Sequence, residues 1–225
     1  MKHKALIGFN LTEYPEAGIF KDFFECDFNE YSYDFFISNI EQYSILVPHL
    51  YLNISEEMIK KGNNLQYIFT PSTGTNHLDL DAINRLGINF QCLSDNEDFI
   101  NDISSTAELS WLLILSSLRR ISLLTSRVKD DNSWKNNDLR GFQLKDKTLG
   151  IIGFGRLGRL VYRYAKAFDV KTLVYDIDQS KVEQINDSVD LETLYEKSDI
   201  ISLHPKLNKS SYEMINKDSL ELMKD

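Results

Sequence analysis

Short apolar runs alternate along the chain with stretches in which apolar residues recur at every third or fourth position. The apolar runs predict β-strands at residues 5–9, 44–47, 66–70, 88–92, 148–152, 172–175 and 199–203. The helical spacing and the capping residues predict helices at residues 55–62, 79–86, 105–127, 158–168 and 190–197. Because strands alternate with helices, the sequence predicts an α/β fold with parallel sheets that helices cover on both faces.

The longest apolar stretch of the chain, residues 109–118, lies in a predicted helix that follows Ser104, and a domain boundary is predicted near that serine. Ser105 and Glu108 have the spacing of a capping box, which predicts the start of a helix. Apolar residues through Leu124 leave almost no polar face, so this helix is expected to be buried on all sides between two domains. The polar residues 129–147 predict a loop. We therefore expect two domains, at residues 1–104 and 105–225.

A glycine-rich turn follows the fifth predicted strand and opens the next helix. Gly153, Gly155 and Gly158 have the spacing G-x-G-x-x-G, and Asp176 ends the following strand about twenty residues later. The first glycine permits a tight turn, the second lets a pyrophosphate approach the backbone, and the third lets the helix pack closely. The sequence thus predicts a dinucleotide site, with a glycine turn that binds no ligand as the alternative. Asp178 lies close and no arginine is near to accept a 2′-phosphate, which favours NAD over NADP.

Composition and charge exclude several classes of protein. The 225 residues are 42% hydrophobic and 26% charged, and their net charge of −9 argues against nucleic-acid binding. Two cysteines, Cys26 and Cys92, predict neither a disulfide framework nor a metal site. The N-terminus lacks the pattern of a signal peptide, and the longest apolar stretch is too short to span a bilayer. We therefore expect a cytoplasmic protein without a membrane or nucleic-acid partner.

Several motifs, in order and at compatible spacing, resemble those of the D-isomer-specific 2-hydroxyacid dehydrogenases. They are STGTNHLD at residues 72–79, STAE at 105–108, LRGFQLKDKTLGIIGFGRLGR at 139–159 and SDIISLH at 198–204. The resemblance implies a flavodoxin-like substrate domain and a Rossmann nucleotide-binding domain, with the active site in the cleft between them. It also implies NAD as the cofactor, a small 2-hydroxy or 2-oxo acid as the substrate, and a homodimer.

The resemblance further implies which residues bind the cofactor. By motif match, Thr106 would face the nicotinamide half, Arg156 and Leu157 the pyrophosphate, Asp176 the adenosine ribose, and His204 the adenine side. Thr106 also belongs to the predicted capping box, which is the structural alternative for that residue. A catalytic acid is the alternative for His204, which follows a strand at the edge where ligands bind in open α/β sheets.

On the substrate side, the resemblance implies that backbone around Thr73 and Gly74 holds the substrate carboxylate. His49, in the loop after the second predicted strand, is a candidate substrate-side residue, and a surface histidine is the alternative. The family pattern continues past residue 225 with a substrate-binding Arg, an orienting Glu and the catalytic His. Since no motif position up to Asp225 matches these three, the resemblance assigns no catalytic residue here.

We therefore expect a dehydrogenase chain truncated at its C-terminus. The alternative function is that of a non-catalytic protein that binds a dinucleotide or another subunit. In the Rossmann strand order 3-2-1-4-5-6, strand 1 lies between strands 2 and 4. The sequence after residue 147 predicts only three strands, so we expect an incomplete domain in which the strand at 148–152 is an open edge prone to aggregation.

Overall fold

The computed structural model describes residues 3–30, 32–131 and 140–224. The chain divides into two compact units, Met1–Ile100 and Asn101–Asp225. This division lies near the predicted domain boundary between residues 104 and 105, which stays a prediction.

The first unit is a parallel sheet with helices. In chain order its elements are β1 (Lys4–Ile7), α1 (Phe20–Phe23), β2 (Glu25–Phe28), α2 (Tyr33–Asn39), β3 (Ile45–Val47), α3 (Glu56–Lys61), β4 (Tyr67–Thr70), α4 (Leu80–Arg85), β5 (Asn89–Cys92) and α5 (Glu97–Asn101). The five strands have the order β2-β1-β3-β4-β5, which is the flavodoxin-like order 2-1-3-4-5. The predicted fold class of this part of the chain is therefore confirmed.

Local sequence signals explain most of these elements. The Ser55 side chain accepts a hydrogen bond from the Met58 N–H at the start of α3, and Asp79 does the same for Ala82 at the start of α4. Gly87, with φ of +69°, lies just beyond the end of α4. The strand β2 and the helices α1 and α2 were not predicted, because the aromatic residues of this region show no regular spacing.

Both faces of the first sheet are covered. Leu6 belongs to one buried cluster with Phe36 and Ile59, whereas its neighbours Ala5 and Ile7 belong to another on the opposite face. Burial on both faces is typical of a parallel sheet and explains why the inner strands β1 and β3 are continuous apolar runs.

The second unit is also a parallel sheet with helices. Its elements are α6 (Ser105–Leu118), α7 (Ile121–Asp131), β6 (Thr148–Ile152), α8 (Arg156–Ala167), β7 (Lys171–Tyr175), α9 (Leu191–Lys197), β8 (Ile200–Leu203) and α10 (Lys217–Leu222). Buried residues of α6 and α8 form one cluster with Leu149 and Ile151 of β6, and residues of α9 pack with Ile152 on the other face. This arrangement confirms the predicted Rossmann-type α/β unit.

The strand order of the second sheet corrects one prediction. The order is β7-β6-β8, so β6 is hydrogen-bonded on both sides and is not an open edge. After β7 the chain returns alongside that strand, where Ser188 forms an isolated parallel bridge with Val174. The helix α9 follows, and β8 then pairs with the other side of β6. Because the third strand takes the position expected for strand 4, the premise for aggregation through β6 was wrong.

The long apolar helix is a second correction. Instead of one helix there are two, α6 and α7, and the chain turns between them at Arg120, whose φ is +52°. The predicted capping box is absent, since Ser104 rather than Ser105 precedes the helix and makes no side-chain bond to a helix N–H. Nor is α6 buried on all sides, because Leu112 and Leu113 are 58% and 59% exposed.

The predicted loop at residues 129–147 is correct only in part. The helix α7 continues to Asp131, residues 132–139 lie outside the described residues together with Leu139 of the family motif, and 140–147 contain neither helix nor strand. Among the helices that the structure describes, none combines the length and the apolar character needed to cross a membrane.

Candidate functional site

The glycine turn between β6 and α8 is the centre of the candidate site in the second unit. Gly153 has φ of +89°, and a Cβ there would lie 2.6 Å from the Pro205 nitrogen. A Cβ on Gly158 would lie 2.0 Å from the Gly153 carbonyl oxygen, so the first turn of α8 packs directly on the glycine turn. A Cβ on Gly155, by contrast, would meet nothing within 4 Å. Two of the glycines are thus required by packing, and the third borders open space.

That open space lies at the N-terminus of α8. Gly155 is the residue that precedes the helix, and it has no side chain to cap the first N–H groups. Arg156 and Leu157 are the first two residues of the helix, which is 12 residues long. Unpaired N–H groups and the positive end of the helix dipole make this position suitable for a phosphate group.

Asp176 follows β7 and connects it to the glycine turn. The residue is buried (5% exposed), and its Oδ2 accepts a hydrogen bond of 2.7 Å from the Phe154 N–H. The other oxygen accepts from the Asp178 N–H at 2.9 Å and lies 3.4 Å from the Lys181 ammonium. A carboxylate has about four lone-pair positions, so Asp176 retains capacity to accept a ligand hydroxyl. The bond to Phe154 and the nearby lysine were not predicted from the sequence.

Arg156 joins the start of α8 to the segment that precedes α6. Its guanidinium donates a hydrogen bond to the Ile103 carbonyl oxygen. Thr106 is an exposed residue in the first turn of α6, which begins two residues after Ile103. The Arg156 bond therefore holds the start of α6 close to the glycine turn. Further along, Trp111 of α6 packs against Tyr164 of α8, with ring centroids 6.1 Å apart, and against Phe168, which directly follows α8. The sequence motif contained no signal for the Arg156 bond.

His204 lies at the end of β8, on the opposite side of β6 from β7. Its backbone N–H donates to the Ile152 carbonyl at 2.7 Å, and its Nε2 lies 2.8 Å from the Ser202 hydroxyl. Burial lowers the pKa of the imidazole below its ordinary value of 6.5, so the ring is neutral at pH 7. A neutral imidazole can exchange hydrogen bonds with a ligand but is a poor proton donor, which argues against the catalytic alternative.

In the first unit, Thr73 and Gly74 form an exposed turn after β4. The Ser72 hydroxyl donates to the Gly74 carbonyl at 2.7 Å and lies 2.8 Å from the Thr70 hydroxyl, which fixes the turn to the end of the strand. Neither the Thr73 nor the Gly74 backbone N–H has a hydrogen-bond partner among the described residues. Both groups are therefore able to donate to an anion such as a carboxylate.

His49 is buried rather than on the surface, which corrects the alternative given for it. Only 6% of the residue is exposed, and its ring centroid lies 5.1 Å from that of Phe9 and 4.8 Å from that of Tyr51. Its Nδ1 accepts a hydrogen bond of 3.2 Å from the Tyr51 N–H. Burial lowers the pKa of His49 despite the opposing charge of Glu13. The aromatic residues that cover the ring come from two separate loops, so the sequence alone did not indicate its burial.

The structure thus brings together one group of the sequence-predicted residues. Around the glycine turn of the second unit lie Gly153, Gly155, Arg156, Leu157, Gly158, Asp176 and His204. Thr106 joins them through the first turn of α6, whereas Thr73 and Gly74 belong to the first unit. The residues that sequence reasoning missed are Phe154, Lys181 and Ile103.

Comparison with known families gives a match over most of the chain. Residues 111–225 match the model for the D-isomer specific 2-hydroxyacid dehydrogenase, NAD binding domain. Residues 11–93 match the model for the D-isomer specific 2-hydroxyacid dehydrogenase, catalytic domain.

Individual relatives agree with the family models. The hydroxypyruvate reductase of Thermotoga maritima is 33% identical over 186 residues, which cover 83% of this chain and 59% of that protein. The glyoxylate reductase of Thermofilum pendens is 34% identical over 195 residues, which cover 84% of this chain and 56% of that protein. A crystal structure of D-lactate dehydrogenase from Aquifex aeolicus, complexed with NAD and lactic acid, superposes with a TM-score of 0.87 at 27% identity. That match covers 99% of this chain and 66% of the other, so the chain spans less than two thirds of each of these relatives.

Proposed function

Because the chain belongs to the D-isomer-specific 2-hydroxyacid dehydrogenases, we propose that it functions in hydride transfer between NAD and a small 2-hydroxy or 2-oxo acid. In this proposal residues 105–225 bind the cofactor and residues 1–104 bind the acid. The observation that carries it is the open N-terminus of α8 beside the buried carboxylate of Asp176. NAD supplies the hydride chemistry, and the residues of this chain bind and orient the reactants.

On the cofactor side, the backbone N–H groups of Arg156 and Leu157 bind the pyrophosphate. Asp176 accepts hydrogen bonds from the adenosine ribose, for which its position at the end of β7 is suited. Thr106 faces the nicotinamide half, and His204 lies at the adenine side as a neutral ring. The Arg156 side chain has a structural role, because its bond to Ile103 holds the start of α6 in place.

On the substrate side, the backbone N–H groups of Thr73 and Gly74 bind the substrate carboxylate. Support for this role comes from their lack of hydrogen-bond partners among the described residues and from the bonds that hold the turn rigid. A fixed carboxylate orients the carbon that exchanges the hydride, which lowers the entropic part of the barrier.

The experiment that tests the proposed function is a fluorescence titration of the polypeptide of residues 1–225 with NADH. We expect saturable binding with a Kd on the order of micromolar, roughly −8 kcal/mol, because the residues proposed to bind the pyrophosphate and the ribose all lie in the second unit. Absence of saturable NADH binding by the folded polypeptide would contradict the proposal.

Turnover by the same polypeptide is expected to be absent. Reduction of a carbonyl needs a proton donor and stabilisation of the alkoxide, and no matched motif position in residues 1–225 supplies either. The measurement is NADH oxidation, followed by the loss of its absorbance, with glyoxylate, pyruvate and hydroxypyruvate in turn. Turnover of about one per second or faster would show that a residue of this chain acts as the donor.

We also propose the cytoplasm as the location of the protein and a homodimer as its assembly. Support for the dimer comes from a second apolar face on α6, opposite the buried face that carries Trp111 and Ile114. The residues of this exposed face are Leu109, Leu112 and Leu113. Contiguous exposed leucines at helical spacing are typical of a surface that a partner covers, and a second copy of the chain satisfies this by symmetry.

Substitution of this face tests the dimer. We expect Leu112→Glu combined with Leu113→Glu to convert a dimer to a monomer, because two carboxylates would be buried unpaired in the interface. The measurement is size-exclusion chromatography with light scattering, and NADH affinity is measured in parallel to confirm folding. Leu220→Glu is the matched control, since Leu220 is equally exposed at 58% but lies on α10. A monomeric unsubstituted chain would rule out this interface.

A further inference from the structure

The loops after β1, β3 and β4 lie side by side at the carboxyl edge of the first sheet. These three strands are consecutive neighbours in the sheet order. The Gly8 N–H donates to the Val47 carbonyl at 2.8 Å, which joins the start of the first loop to the end of β3, where the second loop begins. The Ile54 N–H donates to the His77 carbonyl at 2.8 Å, which joins the second loop to the third. The turn that holds Thr73 and Gly74 therefore has the loop after β3 as its neighbour, and the loop after β1 lies beyond that one.

These three loops contain no fixed positive charge. Their residues, 8–14, 48–54 and 71–79, include no lysine or arginine, and their charged residues are Glu13 and Asp79. Burial lowers the pKa of both His49 and His77, so both rings are neutral at pH 7. A second anionic group on a ligand would therefore find no cation in these loops and would meet the charge of Glu13.

The other lysine and arginine residues that the structure describes in the first unit lie away from the Thr73–Gly74 turn, and Lys4 among them lies at the start of β1, at the opposite edge of the sheet. Lys21 lies over the Phe28 ring at the end of β2, next to the loop after β1, and β1 and β3 separate that strand from β4 and its turn. Lys60, Lys61 and Arg85 lie in the last turns of α3 and α4. Both helices begin just after the loops at the carboxyl edge, so their last turns point toward the opposite edge of the sheet.

The same loops carry a cluster of rings. Phe9 and Tyr14 come from the loop after β1, and their ring centroids are 5.4 Å apart. His49 lies 6.0 Å from Tyr14 and 4.8 Å from Tyr51, which comes from its own loop. Tyr51 is 79% exposed, and Leu50 beside it is also exposed. An apolar, partly aromatic surface of this kind favours contact with a ring or a branched hydrocarbon chain.

We propose that the acid bound by this protein carries one negative charge only and has a bulky, uncharged side chain, aromatic or branched, that contacts the ring cluster of the first unit. This inference rests on the proposed function, because it takes the Thr73–Gly74 turn as the site of the substrate carboxylate. It distinguishes the substrate from 2-oxo acids that carry a phosphate or a second carboxylate. It also distinguishes the substrate from glyoxylate, which has no side chain to contact the rings.

The test is the binding of four 2-oxo acids to the full chain saturated with NADH, measured by saturation-transfer NMR, which registers weak complexes. The probes are phenylpyruvate, glyoxylate, 2-oxoglutarate and phosphohydroxypyruvate. We expect phenylpyruvate to bind at least about tenfold more tightly than each of the other three. Equal or tighter binding of 2-oxoglutarate, phosphohydroxypyruvate or glyoxylate would overturn the proposal, as would the absence of phenylpyruvate binding at about 10 mM.

Two variants make the assignment specific to these loops. Tyr51→Ala is expected to weaken phenylpyruvate binding by about three- to tenfold, since it removes an exposed ring from the cluster. Leu50→Arg is expected to raise the affinity for 2-oxoglutarate, because it places a guanidinium where the loops have no cation. Tyr212→Ala is the matched control, since Tyr212 is an exposed tyrosine in the second unit.

The outcomes separate this inference from the proposed function. If NADH fails to bind, the proposed function is wrong and the inference falls with it. If NADH binds but Tyr51→Ala leaves the affinity for phenylpyruvate unchanged and Leu50→Arg leaves that for 2-oxoglutarate unchanged, only the inference about the side chain is wrong. Loss of phenylpyruvate binding in the Tyr212→Ala control would likewise contradict the placement of the acid at these loops.

Discussion

Gly158→Ala is expected to destabilise the second unit by about 3 kcal/mol or more, an effect at the upper end for an overpacked site. The added Cβ would lie 2.0 Å from the Gly153 carbonyl oxygen, which is backbone and cannot rotate away. Relief of this overlap would require α8 to move off the glycine turn, and the packing of α8 against β6 would be lost. In an unconstrained helix the same substitution would stabilise by about 1 kcal/mol, so the sign itself tests the close packing.

Gly155→Ala is the matched variant, three residues away in the same turn. Its Cβ would meet nothing within 4 Å, and the φ of −78° at this position is accessible to alanine. We therefore expect a change in stability within about 0.5 kcal/mol. NADH binding, however, is expected to weaken at least about tenfold, because the methyl group occupies the space in which the pyrophosphate approaches the backbone.

Denaturant unfolding followed by circular dichroism, together with NADH titration, measures both variants. The expected pattern is loss of stability in Gly158→Ala and loss of cofactor binding with normal stability in Gly155→Ala. Normal stability in Gly158→Ala would mean that α8 does not pack on the turn as described. Undiminished NADH affinity in Gly155→Ala would place the pyrophosphate elsewhere.

The second large effect is expected at Asp176, which we propose as the residue that selects NADH over NADPH. We expect the unsubstituted chain to bind NADH at least about 100-fold more tightly than NADPH, a difference of roughly 2.7 kcal/mol. A 2′-phosphate would be repelled by the buried carboxylate of Asp176 and by Asp178 nearby. The measurement is a parallel fluorescence titration with the two reduced cofactors.

Asp176→Asn is expected to reduce this preference to within about tenfold. The variant removes the charge but keeps an oxygen that can accept the Phe154 N–H, so the turn stays anchored. Lys181, whose ammonium lies 3.4 Å from Asp176 and 3.7 Å from Asp178, then becomes available to a 2′-phosphate. Adding Lys181→Met to Asp176→Asn is therefore expected to lower NADPH affinity again.

Asp178→Asn serves as the control for Asp176→Asn. Asp178 is exposed, and its carboxylate accepts from the Ser180 N–H and hydroxyl rather than from the glycine turn. We expect its NADH affinity to stay within about twofold of the unsubstituted chain. The role of Asp176 would be contradicted if Asp176→Asn kept the preference for NADH over NADPH. It would also be contradicted if Asp178→Asn lost that preference to the same extent.

The sequence by itself determined the elements whose signals are local. The helices after Ser55, Asp79 and Asp190 begin where their capping side chains predict, because each cap bonds an N–H group only three residues ahead. The glycine turn was equally predictable, since the positive φ of Gly153 and the close packing of Gly158 on Gly153 arise within six residues. The Asp at the end of the next strand follows from the same motif.

Tertiary structure decided the features that depend on residues far apart in the chain. The sheet position of β8 depends on the path through Ser188 and α9, which no local pattern specifies. The burial of His49 depends on rings from two loops. Similarly, the bond from Arg156 to Ile103 joins residues 53 positions apart in the sequence.

The exposure of the α6 leucines illustrates the physical reason. The sequence shows that Leu109, Leu112 and Leu113 are apolar, and hydrophobicity favours burial but is non-directional. The sequence therefore does not show whether the surface that covers these leucines belongs to the same chain or to another. Folding covers Trp111 and Ile114 against α8 and β6 and leaves these leucines exposed. Composition and periodicity determine which side chains are stabilised by burial. Only the packing of residues far apart in the chain determines which of these side chains are buried within it.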